Sequence, residues 1–147
     1  MDRGPFIYRH RVRYADTDQM GVVYHARYLE WFEAARTEML RGWGISYKEL
    51  EDRGIALPVV EVRCRYRMPV RYDEEMEIHT CLHEATRSKI LIAYEVIEAV
   101  TRSIRASGYT LHCYLSREGK PIRAPNWLET LFLGNVSKDK DFMKDGR

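Results

Sequence analysis

No stretch of this chain stays apolar for the roughly 18 residues that a membrane-spanning helix needs, so no membrane span is expected. The charged first residues lack the apolar centre of a secretory leader. Cysteine is sparse: Cys64, Cys81 and Cys113 are odd in number and far apart, which excludes a disulfide framework. Three such thiols suit a reducing compartment, and the expected setting is the cytoplasm. An excess of one sign of charge is nearly absent too: a net +2 is too small to mark a nucleic-acid partner by itself. The chain has no internal repeat and no low-complexity region. It has no Gly-x-Ser-x-Gly elbow, which speaks against an α/β-hydrolase, and neither a P-loop nor a dinucleotide fingerprint.

What the chain does have is one domain's worth of ordinary globular sequence. Its 147 residues suffice for a single core, and 45% hydrophobic with 31% charged residues is the balance of a soluble fold. The segment that organises the rest runs from Tyr14 to Trp43. Apolar residues recur there at Tyr28, Leu29, Phe32, Ala35, Met39, Leu40 and Trp43, the spacing of one helical face, with Glu30, Glu33, Arg36, Glu38 and Arg41 between them. Gly42 and Gly44 bracket the stop. A helix of roughly 18 residues, about 27 Å long, is as wide as a small domain, so it is expected at the centre.

Around that helix the period is two. Phe6 to Tyr14 alternates, with Tyr8, His10, Val12 and Tyr14 opposite Arg9, Arg11 and Arg13. From Pro58, Val60, Val62, Cys64, Tyr66 and Met68 share a face. Glu75–Ala85, Lys89–Val100 and Arg105–Ser116 follow as three more strands. Ser46 with Glu49 forms a capping box for a short helix that Gly54 ends, and Asn126 is expected to cap a terminal helix. Strand, long helix, then four strands on short links give an α+β fold with an antiparallel sheet of about five strands wrapped around one helix. The expected domain is 1–133, with 134–147 as a mobile tail.

The chemistry concentrates just before the helix. Asp18 sits where free backbone N–H groups and the positive end of the helix dipole lie. A thioester carbonyl placed there has its developing oxyanion stabilised, and an adjacent carboxylate attacks it or deprotonates a water. Gly21, without a Cβ, allows close approach of a substrate. His25 adds an imidazole able to donate to the carbonyl oxygen or to move a proton to the departing thiolate. The structural alternative is that such aspartates cap the helix, and Asp16 is assigned to that role. Glu33 either reaches the site or pairs with Arg36 along the helix.

The run Asp16-Thr17-Asp18, then Gly21-Val22-Val23-Tyr24-His25, Tyr28 and Glu33-Ala34-Ala35-Arg36, resembles the signature of the 4-hydroxybenzoyl-CoA thioesterase family of hotdog-fold acyl-CoA thioesterases. The variant with His25 is most similar to the branch associated with the Tol–Pal envelope system. The resemblance implies Asp18 as the catalytic carboxylate and the His25 N–H as the group that polarises the carbonyl. It implies substrate contacts at Gly21, Val22, Tyr24 and Arg27. Many relatives carry Asn where this chain has Arg27, which leaves substrate orientation open. The expected reaction is hydrolysis of a short-chain aliphatic or aryl acyl-CoA to the free acid and coenzyme A. No metal or redox cofactor is expected, coenzyme A being part of the substrate. A homodimer or a dimer of dimers, a homotetramer, is the expected assembly. The alternative is a non-catalytic hotdog module that binds acyl thioesters or a protein; a hotdog dehydratase fits the His25 position less well.

Other constellations weigh less. His79, Cys81 and His83 share a strand face with ligand chemistry suited to zinc, but no second ligand pair stands at finger spacing. Alternation makes Cys64 a core residue rather than a nucleophile. Arg9, Arg11, Arg13, Arg63, Arg65 and Arg67 form rows that suit coenzyme A phosphates or RNA. Cross-strand pairing with Glu75, Glu77 or Glu95 explains them more simply, and the RNA-binding aromatic signature is missing.

Overall fold

The computed structural model describes residues 4–139. The alternating segments form β1 (Phe6–Arg11), β3 (Val59–Tyr66), β4 (Glu75–Ala85), β5 (Lys89–Glu98) and β6 (Ile104–Cys113). They make one antiparallel sheet in the order β1-β4-β5-β6-β3. Helix α1 (Arg27–Gly42) lies across its inner face. The α+β expectation of about five strands around a long helix therefore holds. Two short helices, α2 (Tyr47–Asp52) and α3 (Asn126–Leu133), and a two-stranded ribbon of β2 (Ile55–Ala56) with β7 (Leu115–Ser116) complete the chain.

Sixteen residues make α1 about 24 Å long. Its buried stripe is Tyr28, Trp31, Phe32, Ala35, Met39 and Leu40, with Trp31 taking the place expected of Leu29, which is exposed. Spacing of three and four from Tyr28 selects position 31, whereas position 29 lies a hundred degrees around the helix. Phe32 stacks on Tyr94 of β5 at 4.2 Å between ring centres. Its seat is Gly108 of β6, where an added Cβ would stand 2.1 Å from the Arg63 carbonyl oxygen and 3.1 Å from the Phe32 ring. Gly44, at φ +93°, turns the chain out of α1.

Beneath α1 the sheet buries a polar relay. His112 Nδ1 donates to the Leu57 carbonyl (3.0 Å). Leu57 offers only an acceptor there, so Nε2 accepts from Thr110 Oγ1 (2.8 Å), which in turn meets the Tyr94 hydroxyl at 2.7 Å. Arg36, half-buried on α1, hydrogen-bonds that hydroxyl and gives its Nε to Tyr47 (3.3 Å). Arg36 is thus turned inward, and no Glu33–Arg36 ion pair forms among the described residues.

Several local expectations shift. The first strand ends at Arg11; Tyr14–Asp16 form a 3₁₀ turn that leaves Tyr14 exposed, stacked on Tyr72 at 3.7 Å. Asp16 closes this turn by accepting from the Arg13 N–H, and that bond competes with continued pairing. The Ser46 cap holds, with Ser46 Oγ accepting from the Glu49 N–H at 3.1 Å. Pro125, not Asn126, occupies the N-cap of α3. In the segment expected to be a mobile tail, Val136 bridges Leu82 and the Ser137 N–H donates to the Leu82 carbonyl (2.8 Å). The remainder, 140–147, lies outside the described residues. Strand β3 is one of the two edges of the sheet, and Val60, Val62, Tyr66 and, just past it, Met68, all expected on a packed face, are exposed in the single chain.

Candidate active site

Between β1 and α1 the chain folds into a small loop. The Asp18 N–H donates to the Val22 carbonyl (2.9 Å) and the Gly21 N–H to the Asp18 carbonyl (2.9 Å). Gly21 takes φ +77°, a left-handed conformation that a Cβ penalises. A Cβ on Gly21 would meet open space, so backbone geometry rather than crowding asks for glycine there. Thr17 bridges Val23, Val22 bridges Arg71, and the Val23 N–H donates to the Val70 carbonyl (2.8 Å). This pins the loop to the segment following β3.

Asp16 is buried and serves the loop rather than a ligand. Its Oδ2 accepts from the Arg13 N–H (2.9 Å) and from His10 Nε2 (2.8 Å), and its carbonyl accepts from the Tyr24 N–H (2.9 Å). Burial alone would raise the Asp16 carboxyl, but the Arg13 amide and His10 outweigh it and hold it below the usual carboxylate range. Asp18 differs. It is half-buried, its Oδ1 accepts from the Met20 N–H (2.9 Å), and Oδ2 has no partner among the described residues.

Asp18 lines a cleft of about 330 Å³ together with Val22, Val23, His25, Tyr28, Tyr66 and the Arg67–Pro69 stretch. Helix α1 opens directly beside it. Ala26 occupies the N-cap with no side-chain acceptor, where Ser, Thr or Asp would ordinarily take up the free donors. Among the described residues the N–H groups of His25 and Ala26 carry no hydrogen bond. Asp18 and His25 thus line one hollow at the amino end of α1, where the unspent N–H groups of His25 and Ala26 also lie. The opposite wall comes from the end of β3. Arg105 steadies it with a two-pronged pair to Glu74 (3.0 and 2.9 Å) and a further bond to the Pro69 carbonyl (2.9 Å). That pairing holds the Glu74 carboxyl below its usual range.

The expected site residues are thus sorted. Asp18, Val22 and His25 share the cleft. Gly21 shapes the loop without lining the hollow. Tyr24 is exposed with its ring 4.5 Å from that of His25. Arg27 is tied to Glu30 (3.1 Å) and to the Ala15 carbonyl (3.2 Å). Tyr28, part of the signature but assigned no substrate contact, also lines the cleft, as do Tyr66 and Met68, which the sequence presents only as strand residues. A larger hollow of about 460 Å³ lies at the far end of α1, near Phe6, Met39, Trp43, Thr80, Leu133 and Val136. Its described lining includes no carboxylate and no imidazole, so the smaller cleft is the one equipped for chemistry.

Elsewhere, Arg9 and Arg11 pair with Glu77 (3.9 Å) and Glu75 (3.3 Å) across β1 and β4, the simpler of the two readings of those rows. His79 Nε2 meets Glu77 at 2.9 Å. Burial pushes the Cys64 thiol up to about 11, a poor nucleophile.

The sequence pattern of the thioesterase-like superfamily matches residues 12–132. The chain belongs to that superfamily. It is 32% identical over 133 residues to the acyl-CoA thioesterase YbgC of Haemophilus influenzae, covering 90% of this chain and 96% of that one. It is 32% identical over 115 residues to the acyl-CoA thioester hydrolase YbgC of Escherichia coli O157:H7, covering 78% and 86%. Among solved structures, a DHNA-CoA thioesterase from Staphylococcus aureus superposes with a TM-score of 0.78 at 32% identity, over 84% of this chain and 85% of that one. The hotdog expectation and the expected class, a thioester hydrolase, are both borne out. No helix among the described residues is long and apolar enough to cross a membrane.

Proposed function

We propose that this chain hydrolyses short-chain aliphatic or aryl acyl-CoA thioesters to the free acid and coenzyme A, with Asp18 as nucleophile or general base. The observation that carries the reading is the Asp18 carboxylate beside His25 in the cleft at the amino end of α1. A thioester carbonyl in the cleft meets the unspent N–H groups of His25 and Ala26, which stabilise the charge its oxygen gains under attack. Asp18 either bonds to the carbonyl carbon, giving an anhydride that water then opens, or takes a proton from a water that attacks. In both routes the carbon–sulfur bond breaks, the acid gains one oxygen from water over the full cycle, and the thiolate leaves with a proton that the His25 imidazole is placed to supply. No metal or redox group enters the scheme. The ring of Tyr28 and the ring of Tyr66 beside it (4.8 Å) give the cleft an aromatic wall, which suits a flat or short acyl group.

The same reading includes self-association. The free edge of β3 leaves Val60, Val62 and Met68 exposed, a surface that a second copy pairs with in a homodimer or a dimer of dimers. Cys64, Cys81 and Cys113 are thiols outside any disulfide, which suits a cytoplasmic setting.

The test is thiol release from a panel of short-chain, long-chain and aryl acyl-CoAs by wild type and Asp18→Asn. The variant's kcat is expected to fall by about a hundredfold or more, in the range lost with a general base or nucleophile. Near-equal rates would remove Asp18 from the chemistry. Tight binding without turnover of any acyl-CoA by the wild type would favour the non-catalytic alternative.

A further inference from the structure

Tyr66 ends β3 forty-one residues from His25 in sequence, yet its hydroxyl donates to the His25 carbonyl at 2.7 Å. This bond acts on the backbone at the mouth of α1. The two peptide units that flank His25 carry the two unspent donors. The unit between Tyr24 and His25 bears the His25 N–H, and its carbonyl, on Tyr24, already accepts from the Arg27 N–H (2.9 Å). The unit between His25 and Ala26 bears the Ala26 N–H, and its carbonyl is the one Tyr66 holds. A planar peptide points its N–H opposite its C=O, so fixing the oxygen fixes the donor. Helical bonding secures the first unit. Among the described residues only the tyrosine hydrogen-bonds the second, and Ala26 offers no capping side chain.

The tyrosine itself is braced. Its ring stands edge-on to Tyr28 (4.8 Å, 86°) and to His25 (6.3 Å, 85°), and its hydroxyl also hydrogen-bonds the Cys64 thiol on the same strand. We infer that Tyr66 is a positioning residue: it clamps the His25–Ala26 peptide from β3 so that the helix-end donors face the reacting carbonyl. This inference rests on the reading of the cleft as the thioesterase site. It adds a link between the edge strand and the catalytic loop, so that anything displacing the end of β3 alters turnover.

The experiment is Tyr66→Phe, which keeps the ring contacts and removes only the hydroxyl. Clamp loss is expected to lower kcat about tenfold, the worth of one well-placed hydrogen bond, with KM changed less than about twofold. The nitrogen-15 order parameter of the Ala26 amide is expected to fall in the variant while amide hydrogen exchange in the rest of α1 stays as in wild type. A wild-type kcat overturns the clamp, as does an unchanged order parameter at Ala26. A rise in KM alone overturns it as well, because it would make the hydroxyl a substrate contact. A fall in melting temperature with exchange raised throughout α1 overturns it by making Tyr66 merely structural. Asp18→Asn assayed in parallel separates the two ideas: if that variant keeps the wild-type rate, the reading of the site fails, and the Ala26 order parameter in Tyr66→Phe still judges the clamp on its own.

Discussion

His112 gives the fold a pH dependence that follows from its buried relay. The imidazole is wholly buried, and its two nitrogens are committed to Leu57 and Thr110 as one donor and one acceptor. A second ring proton would point at the Thr110 hydroxyl, whose own hydrogen already occupies that line, with the Tyr94 hydroxyl behind it. Burial, helped by the positive charge of Arg36, pushes the imidazole from its ordinary 6.5 down to about 4. Above pH 6.5 neither the folded nor the unfolded chain is protonated at His112, so its contribution to stability is complete. Between 6.5 and 4 the unfolded chain alone binds the proton, and stability is lost as pH falls. A separation of about 2.5 units corresponds to roughly 3 kcal/mol. His112→Gln, which does not titrate, isolates this contribution from the many carboxylates. At pH 7.5 the variant is expected to be about 2 kcal/mol less stable than wild type, the cost of disturbing two buried hydrogen bonds. Urea unfolding at pH 7.5, 6.5, 5.5 and 4.5 should show that deficit closing, and reversing, as the wild type loses its advantage. A deficit that stays constant across this range would refute the assignment of a neutral, proton-excluding His112.

Two further substitutions probe the frame around the cleft. Gly108→Ala places a methyl group 2.1 Å from the Arg63 carbonyl and 3.1 Å from Phe32, so either the β3–β6 pairing or the seat of α1 must move. We expect a loss of about 3 kcal/mol or more by chemical denaturation, and a wild-type midpoint would show that the sheet yields there at little cost. Val62→Glu sets a charge on the exposed edge of β3; on the proposed self-association through that edge, light scattering is expected to give a monomer for the variant and a larger mass for wild type, while the far-ultraviolet circular dichroism is retained. An unchanged mass would place the contact between copies elsewhere.

Periodicity made α1 and the five long strands readable, because each presents a repeated apolar face that the fold buries. It also placed Asp18, Val22 and His25 in one loop, since all three are local to the start of the helix. Rank within the sheet was not readable. Val60 to Met68 alternates as regularly as β4 does, and only the chain's tertiary path makes one an edge and the other central. For the same reason Tyr66 and Met68 were missed as cleft residues: the sheet delivers them from a distant segment, with no motif to announce it. Arg36 and His112 were hidden differently. Each looks like a polar residue on an exposed face, and each is instead satisfied inside the core by a relay that needs four elements in place at once.

The position of the cleft follows from these two layers of information. A helix that ends in Ala26 rather than in a capping side chain leaves donors unspent, an arrangement that costs stability unless something else uses them. Among the described residues nothing does. The loop that carries Asp18 is meanwhile fastened on one side to Val70 and Arg71 and on the other to Asp16, so its carboxylate is fixed relative to those donors instead of drifting onto them as a cap. Had the role of Asp18 been to cap, its oxygens would satisfy the amides of α1; Oδ1 accepts instead from Met20, within its own loop. Asp16 does the stabilising work that a buried aspartate near a helix commonly does. Asp18 two residues later keeps its Oδ2 without a partner among the described residues, so the proposed chemistry falls to it, and this difference between the two carboxylates sets the loop apart from an ordinary helix entry.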